Sequence, residues 1–310
     1  MNAEALVAVP TTAKELRNRV SEAFLLVKKH FPFPGYMDHG FDKYVAVASA
    51  LLSNGCLPGS RVLSIGAGAC DCEAILSKLG YRLTALDDLS DHWHMIGRNR
   101  ERILAFAEQS GVQLMLQPFD TWDLRESSYD AALMLDVIEH LHESPRGLLN
   151  RMISSVRPRG LLVLETPNAT SLAKRLWMLF GKSSQVRLDF LFWNIGEYRS
   201  HIREYTEPEL RKVLEYENMD VVASRMLNLT LGSVEAKGTL ARALIAVYDA
   251  VSFVYPRFRD TILVVGRRPG NWMPTADSIA RFKESYQHIH KYNLDGESDE
   301  AIIGKLVASR

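Results

Sequence analysis

From about residue 12 to residue 53 the apolar positions recur at helical spacing. The period breaks at FPFPG (31 to 35), where two prolines and a glycine stop one helix before the next begins. The pattern predicts an N-terminal helical cap over residues 1–53. Between Arg61 and about Arg267 it changes, and the runs RVLSIG, YRLTALD, VQLMLQP, YDAALMLD and GLLVLET alternate with helical stretches, each run ending near a turn residue or a carboxylate. VLSI, ALML and LLVLE are continuously hydrophobic, as strands covered on both faces must be. The alternation predicts an α/β domain over 54–268: a doubly wound, Rossmann-like parallel sheet with crossover helices, whose strands open a ligand crevice at their carboxyl ends.

Two later strand-like runs, MDVVASRML (219 to 227) and TILVVGRR (261 to 268), follow a break in the pattern. Helical insertions are expected at 169–200 and 228–259, either of which would serve as a substrate lid. The second contains TLARALIAVYDAVSFVYP (239 to 256), read most simply as a buried core helix, with a lid over an apolar substrate or a membrane-surface contact as alternatives. Residues 269–310 read as a helical tail. No repeat and no low-complexity tract interrupts this order.

Composition narrows the picture. A chain of 310 residues with 47% hydrophobic content supports a sizeable core. Thirty-seven basic residues balance 37 acidic ones, so no global field gathers nucleic acid, and no nucleic-acid partner is expected. The N-terminus lacks a charged segment followed by an apolar run, and no stretch reaches the roughly 18 apolar residues of a membrane span. Cytoplasmic residence is therefore the default expectation, with peripheral membrane contact left open. Cys56, Cys70 and Cys72 cannot assemble a four-ligand zinc site, so they read as packed, reduced thiols and no metal is expected.

The most informative stretch is RVLSIGAGACDCEAIL (61 to 76), a strand entering a glycine turn and then a helix. Gly66 and Gly68 permit a tight turn and the close approach of a ligand to backbone N–H groups on either side of Ala67. The next strand ends in Asp87 and Asp88, where a carboxylate suits the two hydroxyls of a ribose. GAGACD begins as a dinucleotide fingerprint does, but its last glycine is replaced by Asp71, which would repel a pyrophosphate at the helix N-terminus. A phosphate-free, cationic adenosyl ligand tolerates that acid.

These motifs resemble those of the class I S-adenosylmethionine-dependent methyltransferases of small molecules and glycans, over roughly residues 40 to 268. The family's first motif has an acid, any residue, then GxGxG; here Ser64 replaces the acid and Cys70 the third glycine. The resemblance implies a seven-stranded sheet with an antiparallel last strand and S-adenosyl-L-methionine as cofactor. It assigns the donor to Gly66, Ala67, Gly68, Asp71, Asp87 or Asp88, to Asp120 and Thr121 in FDTWDL (119 to 124), and to Asp136 and Val137 in SYDAALMLDVIEHL (128 to 141).

Methyl transfer is an in-line displacement, and a base is needed only when the acceptor must lose a proton. His140, after the fourth strand, is the candidate catalytic base, and Glu139 reads as structural. In HIREYTEPEL (201 to 210), Thr206 and Glu209 with Pro208 form a capping box. His201, Arg203 and Tyr205 are left over and resemble a segment beside the acceptor pocket in some family members. Lys174, Arg175, Lys182 and Arg187 would receive a polyanionic acceptor or form a solvated helix face. Family members with a comparable insertion often act on saccharides, lipid-linked glycans or other secondary metabolites. The resemblance therefore implies O-methylation of a saccharide, glycolipid or other small-molecule hydroxyl. An NAD-linked oxidoreductase and a catalytically idle donor-binding protein stay as alternatives. The tetrapeptide N/D-P-P-Y/F of amino-methylating enzymes is missing, and ETPN (165 to 168) occupies its region.

Overall fold

The computed structural model describes residues 9–118, 124–229, 238–276, 281 and 293–308. One compact unit runs to Met273. Pro274–Arg310 forms a second, in which Asp299–Ala308 is helical.

Seven strands form one sheet: β1 Arg61–Ile65, β2 Arg82–Asp87, β3 Gln113–Leu116, β4 Tyr129–Leu135, β5 Val156–Pro167, β6 Asp220–Leu227 and β7 Thr261–Arg267. Their order is β3-β2-β1-β4-β5-β7-β6. The first five are parallel, and β7 runs antiparallel to both β5 and β6. The order reverses between β1 and β4, which is where an open α/β sheet binds its ligand. All seven strands lie where the hydrophobic runs put them. β5 begins four residues before Gly160, because Val156 already pairs with Tyr129 ahead of a register shift at Tyr129/Ala131.

Strand residues divide between the two faces with period two. Val62, Leu133, Leu161 and Val163 join a cluster with Val20, Val47, Leu51 and Ile75, from α1 (Ala13–Lys28), α2 (Phe41–Ser53) and α3 (Asp71–Lys78). Leu63, Met134, Leu162 and Leu164 join Leu149, Met152, Leu210 and Leu214, from α5 (Arg146–Ser155) and α8 (Glu207–Tyr216). The same cluster as the first includes Phe106 and Ala107 of α4 (Asn99–Ser110). The N-terminal helices are thus one wall of the main core. Thr12 caps α1 by accepting from the Glu15 N–H at 3.1 Å. The Thr206/Glu209 capping box on α8 forms as its spacing predicts, with both reciprocal bonds present.

One expectation is overturned. The apolar run at 239 to 256 forms α9 (Thr239–Val254), but it is not a core helix: Leu244 is 62% and Phe253 77% exposed. Arg242 and Asp249, two turns apart, share one face of the helix and apolar residues occupy the rest, while the sheet's two faces are already filled by α1 to α3 and by α5 and α8. Two short helices after β5, α6 (Leu172–Leu179) and α7 (Leu188–Phe192), also expose apolar side chains, among them Trp177, Leu179 and Phe192. Cys56, Cys70 and Cys72 are all free and buried, as read from the sequence.

Candidate active site

The turn between β1 and α3 is built from left-handed residues: Gly66 at φ 71°, Gly68 at φ 51° and Cys70 at φ 60°. Cys70 therefore adopts the conformation that a third glycine takes without strain, and it caps α3 with its backbone alone. The two glycines do different work. A Cβ on Gly66 would overlap Val137 Cγ2, so its bareness admits the loop after β4. A Cβ on Gly68 would meet nothing within 4 Å, so the open space for a ligand lies there.

Asp87, buried at the tip of β2, braces this turn. The Gly68 N–H donates to its Oδ2 at 2.8 Å and the Leu89 N–H to its Oδ1 at 2.7 Å. Burial raises its pKa, against the pull of those two bonds. Each oxygen keeps a further lone pair for a ribose hydroxyl. Asp88 is half-buried and faces Arg199, 3.4 Å away, while accepting from the Ser90 N–H at 2.9 Å. Asp71 accepts from Tyr44 Oη of α2 at 2.5 Å. Asp120 and Thr121 lie outside the described residues.

Past β4, Asp136 sits at φ 53° and pairs with Lys43 of α2, whose Nζ is also 3.3 Å from Glu165 Oε2 at the end of β5. Burial would lower the Lys43 pKa, but Glu165 and Asp136 hold it well above its usual value. Burial pushes Glu165 up to about 8, against the nearby Lys43. Neither Lys43 nor Glu165 was singled out from the sequence. Glu165 had a legible signal, an acid closing a continuously apolar strand. Lys43 had none, since nothing along the chain links helix α2 to the tip of β4.

The loop after β4 then gathers three side chains. Glu139, fully buried, accepts from Thr166 Oγ1 at 2.8 Å, and its carbonyl accepts from the Ile202 and Arg203 N–H groups. Burial and then Asp136 push its carboxyl up to about 7. His140 Nδ1 donates to the Arg199 carbonyl at 2.8 Å, and burial lowers its pKa. His201 packs edge-on against His140 with ring centres 4.9 Å apart, and donates from Nδ1 to Glu204 at 2.9 Å. His201 thus reaches His140, whereas Arg203 and Tyr205 do not. Arg203 pairs with Glu209 over the Tyr205 ring, which is buried in the second cluster. Lys174 is occupied by Glu204 and Arg187 by Asp189, so neither stands ready for a polyanion.

The sheet order with its reversed seventh strand, and a glycine turn facing acids at the tips of β2 and β4, define a class I, Rossmann-like methyltransferase. The "Methyltransferase domain" family profile matches residues 36–224, more than half of the chain. The chain belongs to this family, whose methyl donor is S-adenosylmethionine. Among curated relatives, the ubiquinone biosynthesis O-methyltransferase of Rickettsia bellii (strain OSU 85-389) is 23% identical over 162 residues, 52% of this chain and 62% of that protein. The namesake from Methylocella silvestris is 29% identical over 165 residues, 52% of this chain and 57% of its own. The chain therefore spans about three fifths of the length of these relatives. A chain of the complex between the Haloferax volcanii Trm112 methyltransferase activator and a methyltransferase shares the fold at TM-score 0.50 and 14% identity, covering 80% of this chain and 98% of that one. Among the described residues, no helix is long and apolar enough to cross a membrane.

Proposed function

We propose that this protein transfers a methyl group from S-adenosylmethionine to a hydroxyl of a small-molecule acceptor. The observation that carries the reading is the contact between Gly66 and Val137, which sets the His140 loop directly against the glycine turn. The residues fit the donor: room beside Gly68, free lone pairs on Asp87, and the acids Asp71, Asp88 and Asp136 around a cationic ligand. When bound, S-adenosylmethionine supplies an electrophilic methyl carbon. Gly66, Ala67 and Gly68 would shape its seat, Asp71 would face its amino group and Asp87 its ribose, with Asp88, Val137 and Asp136 lining the rest.

The chain's own contribution is to orient the acceptor, keep water out and manage one proton. His140, whose pKa burial lowers, stays neutral and presents Nε2 to the crevice while its Nδ1 is tied to Arg199. It is the group suited to receive the acceptor's hydroxyl proton. Oxygen as the acceptor atom is supported by the O-methyltransferase names of the relatives. The inserted segment suggests a saccharide, glycolipid or other small-molecule hydroxyl as the acceptor. Exposed apolar helices α6, α7 and α9 suit an acceptor with a hydrophobic portion. The test is incubation with the donor and a panel of phenolic, saccharide and lipid-linked hydroxyl acceptors, read by mass spectrometry. Gain of one methyl on a hydroxyl supports the reading. Binding of NAD in preference to S-adenosylhomocysteine in calorimetry would overturn it.

A further inference from the structure

Glu139, His140 and His201 come from two separate stretches of chain, yet each offers a ligand atom within 4.8 Å of the others. Glu139 Oε1 and His140 Nε2 are 3.8 Å apart. Glu139 is fully buried, and its Oε1 has no hydrogen-bond partner among the described residues. A buried carboxylate oxygen left bare is costly unless something positive meets it. Lys43, the neighbouring cation, is engaged elsewhere, with Asp136 and Glu165.

Each of the three side chains is also held from behind. Thr166 Oγ1 takes the other oxygen of Glu139, the Arg199 carbonyl takes His140 Nδ1, and Glu204 takes His201 Nδ1 while itself fixed by Lys174. These bonds leave one Glu oxygen and the Nε2 atom of each histidine available as ligands, on three side chains whose ligand atoms lie within 4.8 Å of one another. Metal-binding histidines are oriented in this way, with the other ring nitrogen donating to a carbonyl or carboxylate. Both histidines are only half-buried, so the point is open on one side.

We propose that Glu139, His140 and His201 bind one divalent transition-metal cation, against the expectation from the cysteine pattern that no metal is present. Two imidazoles and one carboxylate suit Zn²⁺, Mn²⁺ or Fe²⁺ better than Mg²⁺ or Ca²⁺. Metal–ligand bonds are about 2.0–2.2 Å, so the three atoms close on the ion by roughly 1 Å. Three protein ligands leave coordination positions for acceptor oxygens. The cation would take the acceptor as a hydroxyl with a second oxygen beside it, held in two adjacent positions. This inference rests on the hydroxyl-methylating reading above. In it His140 is a ligand, and the bound hydroxyl is acidified by the ion and loses its proton to solvent through the open side. The oxygen's electron pair then forms the new bond to the methyl carbon as the carbon–sulfur bond breaks, its pair staying on sulfur as S-adenosylhomocysteine leaves.

The test uses the whole chain, stripped with chelator and titrated with Mn²⁺ and Zn²⁺ by calorimetry and, for Mn²⁺, by paramagnetic resonance. One equivalent is expected. Glu139→Gln, which keeps the shape and the Thr166 contact, and His201→Ala, on the half-buried side, are each expected to weaken binding at least about tenfold. Absence of stoichiometric binding of either ion, or variants that bind as tightly as the parent, would overturn the site. S-adenosylhomocysteine affinity is measured on the same stripped samples. If it persists while the metal fails, only the cation is lost; if it too is missing, the methyltransferase reading falls with it. It also reports that the variants are folded.

Discussion

Ser64 Oγ donates to Glu73 Oε1 at 2.6 Å inside the core, between β1 and the first turn of α3. The family's first motif has an acid where β1 has Ser64. Here the acid comes from the helix, and the serine has become its hydrogen-bond donor. Glu73 is buried, its Oε2 has no partner among the described residues, and burial raises its pKa to about 7.

That shift fixes a pH dependence. A carboxyl whose folded pKa is raised binds its proton more readily in the native state, so stability falls as pH rises from the unfolded value of 4.5 through about 7. Glu73→Gln removes this loss. The variant should gain up to about 3 kcal/mol over the parent at pH 8 and nothing at pH 4. Urea unfolding at both pH values checks it, and a parent-to-variant difference independent of pH would show that Glu73 does not titrate in this range.

The glycine turn makes a paired prediction. Gly66→Ala adds a methyl group into Val137 Cγ2 at a left-handed φ, and should destabilise the fold by about 1–3 kcal/mol. Part of that should return in the double variant with Val137→Ala. Gly68→Ala meets open space, so its cost is the backbone strain alone, about 1 kcal/mol. Equal thermal shifts in the two single variants would contradict the division of roles.

Asp87→Ala should weaken S-adenosylhomocysteine binding by about 1.5–3 kcal/mol, because it removes charge-assisted bonds and frees the Gly68 and Leu89 amides that shape the turn. Calorimetry should give a smaller loss for Asp88→Ala, whose main partner is Arg199. The reverse ranking would move the ribose contact to Asp88.

Lys43 holds two carboxylates together beneath the crevice, and its own side chain is only 22% exposed. At pH 9, above the raised pKa of Glu165, Lys43→Met should cost about 3 kcal/mol in denaturant unfolding by leaving the Glu165 carboxylate buried beside Asp136 without a cation. Adding Glu165→Gln should restore most of it. No recovery would mean that the loss comes from packing of the lysine stem.

His140→Ala should lower turnover roughly 10²-fold on a hydroxyl acceptor while leaving S-adenosylhomocysteine affinity nearly unchanged. A loss under about threefold would reduce His140 to packing against His201.

Continuous apolar runs and a period of two or 3.6 were enough to place all seven strands, the helical N-terminus and the α8 capping box, because those signals depend only on neighbours in the chain. The glycine turn and the acid at the tip of β2 were legible for the same reason: strand, turn, helix and next strand follow each other within thirty residues. What the chain could not declare is whatever two distant segments share. The Lys43 ion pairs and the meeting of His140 with His201 exist only once α2 and the segment after α7 are folded onto the strand tips. Exposure of α9 was equally out of reach. Hydrophobicity says that a helix prefers cover, but whether the sheet has a face left to offer it is decided by the helices already packed there.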